Sequence, residues 1–259
     1  MPAPTATPPT TKPALMGVLD LIKASWEMYQ QKIWQLVAVQ FVFYVINLLI
    51  SLALAATAFA NIGFFLFSAT ADYQVTDWFK GFSLVSGLIF VVLLLISLLI
   101  AAFQQSALIH LASQDDKQLG SILKKSFHRV PALFWATFLA GLLIMIGLFL
   151  FLIPGIILAV MLAFVSYVVV LEGVGGTQAL SRSRALVKGR WFEVFWRGLA
   201  FMLIIGIPAG IVSSIIDGIV GDNHNTISNL LMALFITPFG LVYGYNLYRN
   251  LKSVSGTSS

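Results

Sequence analysis

The chain has 259 residues, of which 59% are apolar and 10% charged, with a net charge of +5 and no cysteine. An ordinary soluble domain has roughly 25% charged residues, so this chain has too few polar groups to cover a water-facing surface and lipid must be the solvent for much of it. The absence of cysteine excludes disulfides, thiolate catalysis and cysteine-ligated metal centres. Hydrophobic spans separate the basic residues instead of a single water-facing stripe gathering them, so no nucleic-acid partner is expected.

Residues 1–13 are rich in Pro and Thr, lack both a basic start and an apolar core, and read as a solvated tail, not a cleaved signal peptide. A membrane domain is expected over 14–252, with a second disordered tail at 253–259. Crossing a hydrocarbon core about 30 Å thick takes about 20 apolar residues. No Asp, Glu, Lys or Arg occurs from Ile33 to Ala71. That stretch predicts a first crossing over about 33–58, a polar break at Asn61 and Gly63, and an aromatic segment, Phe64 to Phe67, near the outer surface. The next charge-free stretch, Gly81 to Ser113, predicts a second crossing over about 84–107, with Gln104, Gln105 and His110 at its end leaving the bilayer. Val130 to Leu171 is long enough for two crossings, 132–153 and 155–171, and Pro154-Gly155 offers the break for a tight reversal. The fifth and sixth crossings, 196–216 and 228–248, are separated by the polar turn at 221–225. Pro208 and Pro238 are expected to kink them.

Six crossings place both termini on one side. Every Lys and Arg except Lys80 then falls in the terminal segments or the even-numbered gaps, while Asp72, Asp77, Asp217 and Asp222 occupy the odd gaps. Because basic loops are retained in the cytoplasm, this distribution predicts an inner (cytoplasmic) membrane protein with both termini cytoplasmic. Trp26, Trp34, Trp135, Trp191 and Trp196 gather at the expected inner headgroup level, and Trp78 lies near the outer one.

Three inner segments align on a serine: Ser25, Ser126 and Ser183, each followed nine positions later by an aromatic residue, Trp34, Trp135 and Phe192. In the second, Leu119, Ile122, Leu123, Phe127 and Val130 share one helical face opposite Lys117, Lys124, Lys125, His128 and Arg129, the pattern of a helix lying in the interface plane. The fold class expected is therefore an all-α integral membrane protein: six transmembrane helices and three cytoplasmic interfacial amphipathic helices, arranged as a threefold internal repeat. Chance alignment of basic, aromatic-flanked loops is the competing explanation.

The most distinctive text runs from Pro154-Gly155-Ile156-Ile157-Leu158 through Val169-Val170-Leu171-Glu172-Gly173 and Gln178-Ala179-Leu180-Ser181-Arg182-Ser183 to Leu186-Val187-Lys188-Gly189-Arg190-Trp191. This block resembles the bacterial membrane-domain family named after the membrane portion of glycerophosphoryl diester phosphodiesterase, together with related six-helix inner-membrane proteins. The resemblance implies a membrane-embedded module with a role in membrane organisation or lipid-related processes. In the enzymes that gave the family its name, catalysis belongs to a separate soluble barrel, for which this chain has neither room nor motif.

Glu172 closes the fourth crossing before Gly173-x-Gly175-Gly176 and is placed to pair with Arg182, Arg184 or Arg197, or to act as a ligand or proton carrier. Glu193 and Arg197 have the spacing of a helix-surface ion pair. Arg182, Arg184, Lys188 and Arg190 form a set that either binds anionic phospholipid headgroups or serves topology alone. Gly206-x3-Gly210 and Gly240-x3-Gly244 allow close helix approach within the bundle or between the subunits of a homo-oligomer. His110, His128 and His224 fall in different gaps without acidic companions, so no metal or cofactor is expected, and no hydrolase or phosphate-loop motif occurs. These features predict a non-enzymatic protein of membrane organisation, lipid interaction or scaffolding, with a small permease or transporter component as the alternative.

Overall fold

The computed structural model describes residues 15–68, 76–114, 119–220 and 226–256. The two tails, the turn at 221–225, Asp72, Lys117 and the side chains of Asp77, Trp78 and Lys80 lie outside the described residues. Among those described there is no strand, and six helices are long and apolar enough to cross a membrane: Val18–Phe67, Leu84–Ser113, Gly120–Leu150, Leu152–Glu172, Trp191–Ile219 and Ile227–Val254.

Helix α1 (Val18–Ser68) is 51 residues long, which at 1.5 Å per residue makes it about 77 Å, more than twice a hydrocarbon core. The expected first interfacial helix is therefore no separate element but the opening turns of the crossing helix. No Gly or Pro occurs between Val18 and Ile62 to interrupt it. Asn61 does not break it either: its Nδ2 donates to the Thr57 carbonyl at 2.7 Å and its Oδ1 accepts from Ser86 Oγ at 2.8 Å.

Helix α2 (Thr76–Ser113) pairs along α1. Their seam carries a row of side-chain hydrogen bonds, with Gln104 Nε2 donating to Gln40 Oε1 at 2.9 Å and Asn47 Nδ2 to Gln104 Oε1 at 3.4 Å. Polar contacts of this kind join helices where apolar association gains nothing over lipid contact. Gln104 thus belongs to the α1–α2 seam, and His110 near the end of α2 is buried within the bundle.

Helix α3 (Leu119–Leu150) also merges its expected interfacial segment with the crossing, and runs through Pro131. A buried stripe of Ile122, Ser126, Val130, Leu133, Ala136 and Ala140 spans the proline and holds both parts in line. The reversal follows at Phe151, whose extended backbone (φ −161°, ψ 146°) separates α3 from α4 (Leu152–Leu162). Pro154 therefore lies inside the first turn of α4, where its missing N–H costs no helical hydrogen bond, and is not the break itself. Gly155 makes the hairpin tight: a Cβ there would stand 2.7 Å from the Leu148 nitrogen.

After a bend at Ala163 and Phe164, the short α5 (Val165–Tyr167) and a π-helical turn (Val168–Glu172) complete the fourth span, which Gly173 ends in a left-handed conformation (φ 76°). Helix α6 (Gly176–Val187) is the one expected interfacial segment that stands as a separate helix. The fifth span comprises α7 (Trp191–Phe201), a π-helical turn (Met202–Gly206) and α8 (Ile207–Val220). The sixth comprises α9 (Thr226–Leu231), a second such turn (Met232–Ile236) and α10 (Thr237–Val254). Both turns immediately precede a proline pair, Ile207-Pro208 and Thr237-Pro238. The Ile207 and Thr237 N–H groups reach five residues back, to the Met202 and Met232 carbonyls, so the expected proline effect takes the form of a widened turn.

The core lies where the even-numbered gaps meet. One cluster joins Leu21, Ile109, Leu133, Val168, Val187 and Leu251; the other joins Tyr29, Leu36, Leu108, Ile122, Phe239 and Val242. Away from it the helices present apolar side chains outward, among them Leu84, Leu88, Phe149 and Ile219.

Candidate functional site: a basic junction around Glu172

Gly173 can take the positive φ that ends the fourth span without steric cost, and this turn delivers Glu172 to a junction of three segments. Arg182 Nε donates to Glu172 Oε2 at 2.9 Å, while Tyr248 Oη donates to Oε1 at 2.7 Å and Lys252 Nζ lies 3.1 Å from the same oxygen. The carboxylate side chain is only 12% exposed, so two cations and a phenol replace most of its water. Charge-assisted contacts of this type are the stronger class of hydrogen bond. They bind α6 and α10 to the end of the fourth span.

Of the three arginines expected to pair with Glu172, the structure brings only Arg182 to it. Arg197 instead clasps the start of the described chain: Nη2 donates to the Met16 carbonyl at 2.7 Å and the Leu15 carbonyl at 3.1 Å, and Nε to Met16 at 3.0 Å. Its Nη1 also lies 3.9 Å from Glu193, which stands 3.8 Å from Arg190 on its other side. The expected Glu193–Arg197 pair is thus present as part of a three-residue group. Arg184 and Lys188 are exposed and have no ion-pair partner among the described residues.

Other contacts tie the remaining even-gap segments to the same junction. The Met16 N–H donates to Asn250 Oδ1 at 3.0 Å, and Asn246 Nδ2 donates to Ser25 Oγ at 3.0 Å. Lys32 Nζ donates to the carbonyls of Leu111 and Gln114 at 3.2 and 2.7 Å, a cation satisfying the orphan acceptors at the end of α2. Arg129 reaches the Gly173 carbonyl at 3.3 Å, and a Cβ on Gly173 would meet its Nη2 at 2.8 Å.

The three aligned serines are all fully buried, and Leu21, Ile122 and Ala179 before them and Tyr29, Val130 and Val187 after them are buried too. Ser25 and Ser126 donate to the carbonyls of Leu21 and Ile122 within their own helices. Ser183 instead donates to Met161 at 2.8 Å and accepts from the Phe164 N–H at 3.3 Å, which satisfies the bend in the fourth span. Trp34, Trp135 and Phe192 are all exposed.

Sequence reasoning missed Tyr248 and Lys252. Their four-residue spacing puts both on one face of α10, a readable signal, but it points to Glu172 only once the fourth and sixth spans are side by side. The glycine motifs divide. Gly244 packs so closely on Tyr167 that a Cβ would stand 3.1 Å from its Cζ, and Gly240 faces Phe201 at 3.7 Å, whereas an added Cβ at Gly210 meets nothing within 4 Å.

A family model described as a domain of unknown function (DUF7847) matches residues 118–236, from the start of α3 to the second of the two proline-preceding π-helical turns. The match covers less than half of the chain and carries no link to the phosphodiesterase membrane domain. No curated protein and no solved structure matches.

Proposed function

We propose that this is a multi-pass protein of the cytoplasmic membrane, with both termini in the cytoplasm, that acts without catalysis by engaging anionic phospholipid at the junction, in membrane organisation or scaffolding. The observation that carries the reading is the division of labour among the cations. Glu172, Glu193 and backbone carbonyls occupy Arg182, Arg190 and Arg197, while Arg184 and Lys188 stay exposed without an acidic partner among the described residues. Arg184 and Lys188 therefore contribute no ion pair to the fold among the described residues and are open to a headgroup. Unpaired juxtamembrane bases attract anionic lipid by about 1 kcal/mol each.

The common burial of Ser25, Ser126 and Ser183 supports descent from three related units, and the block from Pro154 to Trp191 supports kinship with the phosphodiesterase membrane-domain family. The permease alternative draws no support from the crevice between the fourth and fifth spans, whose walls are mainly Ala, Val, Phe and Leu side chains and carry no charged group.

The test is the phospholipid that accompanies the protein through purification in mild detergent, quantified by mass spectrometry against the source membrane. Anionic lipid should be enriched with the wild-type chain, and the enrichment lost in an Arg184→Glu/Lys188→Glu variant. Identical lipid profiles for the two would overturn the reading.

A further inference from the structure

A crevice of about 470 Å³ lies between α4 and α7 with α10 as its floor, within the roughly 300–1,000 Å³ of small-molecule sites. Ala163, Phe164, Phe195, Gly198, Leu199 and Leu247 are among its walls. The two hydroxyls on its lining have spent their protons within the fold: Tyr167 donates to the Leu241 carbonyl and Tyr243 to the Arg197 carbonyl, each at 2.9 Å. The other lining side chains are hydrocarbon, thioether or glycine, so an apolar occupant fits the crevice best. Its width is set by small residues, and at Gly198 an added Cβ would meet nothing within 4 Å.

Size and charge select among apolar occupants. One turn of helix, a cylinder about 10 Å across and 5.4 Å long, encloses about 420 Å³, so a helix from a second copy would fill the crevice with a single turn and gain little contact. A hydrocarbon chain is thinner and can follow its length. On α7 the lining starts at Val194, one turn after Arg190, so the Lys188–Arg190 turn stands at that end of the crevice. Lys188 is exposed there.

We propose that this crevice binds one acyl chain of a phospholipid whose anionic headgroup rests on the Lys188–Arg190 turn. The headgroup part rests on the lipid reading above; the acyl-chain part stands on the crevice itself.

The test uses the full chain in detergent micelles with two photoreactive probes, phosphatidylglycerol and phosphatidylcholine, each carrying a diazirine on one acyl chain, and maps the crosslinks by peptide mass spectrometry. Phosphatidylglycerol should label the segments 159–167 and 194–202. Gly198→Leu, which projects into open space, should cut that labelling by about tenfold or more without lowering the unfolding temperature, and Arg184→Glu/Lys188→Glu should weaken it for phosphatidylglycerol alone. Unchanged labelling of these segments in Gly198→Leu would overturn the crevice site even if the charge-reversed variant still lost its anionic lipid. Equal labelling by both probes, insensitive to charge reversal but abolished by Gly198→Leu, would overturn the headgroup assignment and leave the chain site standing. Disulfide dimers of a Gly198→Cys variant in membranes would assign the crevice to a second copy and overturn the proposal.

Discussion

Glu172 serves three partners with two oxygens, and removing its charge leaves Arg182 and Lys252 facing each other without an anion. Glu172→Gln should cost about 1–3 kcal/mol of stability, read as a lower unfolding temperature in detergent, whereas Arg184→Ala on the open face should stay within about 0.5 kcal/mol of wild type. His110 makes the opposite case. The residue is 7% exposed, and neither ring nitrogen has a hydrogen-bond partner among the described residues. A buried polar group left unmet is costly, so His110→Leu should raise the unfolding temperature, by the equivalent of about 1 kcal/mol. A fall would reveal a partner for the ring. An ion pair for Glu172 was legible in the sequence, because Arg182, Arg184 and Arg197 all follow the glycine turn, but the choice of Arg182 among them was not. The Tyr248 contact, 76 residues away, was not legible either, since it depends on how two spans align.

At the scale of elements, two helical glycines, Gly155 and Gly210, behave differently. Gly155 packs against Leu148 across the α3–α4 reversal, and Gly155→Ala should force the hairpin apart at a cost of about 1–3 kcal/mol, visible as reduced yield and unfolding temperature. Gly210→Ala should be silent or slightly stabilising, because its added methyl meets no neighbour among the described residues and alanine favours a helix. Charge-free length located the six helices that are long and apolar enough to cross a membrane, but not their ends. Without Gly or Pro as punctuation, α1 absorbs its amphipathic start, and α3 does the same because one buried stripe continues across Pro131. The reversal between α3 and α4 was legible but its position at Phe151 was not, for a related reason: proline is tolerated in the first helical turn, so Pro154 marks where α4 has already begun and not where the chain bends.

For the whole molecule, the basic segments that are far apart in sequence meet at one junction, and the two ends of the described chain touch there through Met16 and Asn250. The alternation of charge along the chain made this convergence legible, since even-numbered gaps of a six-span protein share a side. The polar seam between α1 and α2 was harder to see because Gln40, Asn47 and Gln104 are uncharged and scattered through apolar text. Every part of the functional reading depends on the side the junction faces. The chain has no cysteine, so Lys188→Cys, Ser253→Cys and Asp222→Cys can each be introduced as the sole thiol and labelled with a membrane-impermeant maleimide. In intact cells the account predicts labelling of Asp222→Cys alone, with Lys188→Cys and Ser253→Cys reacting only after permeabilisation; labelling of Lys188→Cys or Ser253→Cys in intact cells would contradict it.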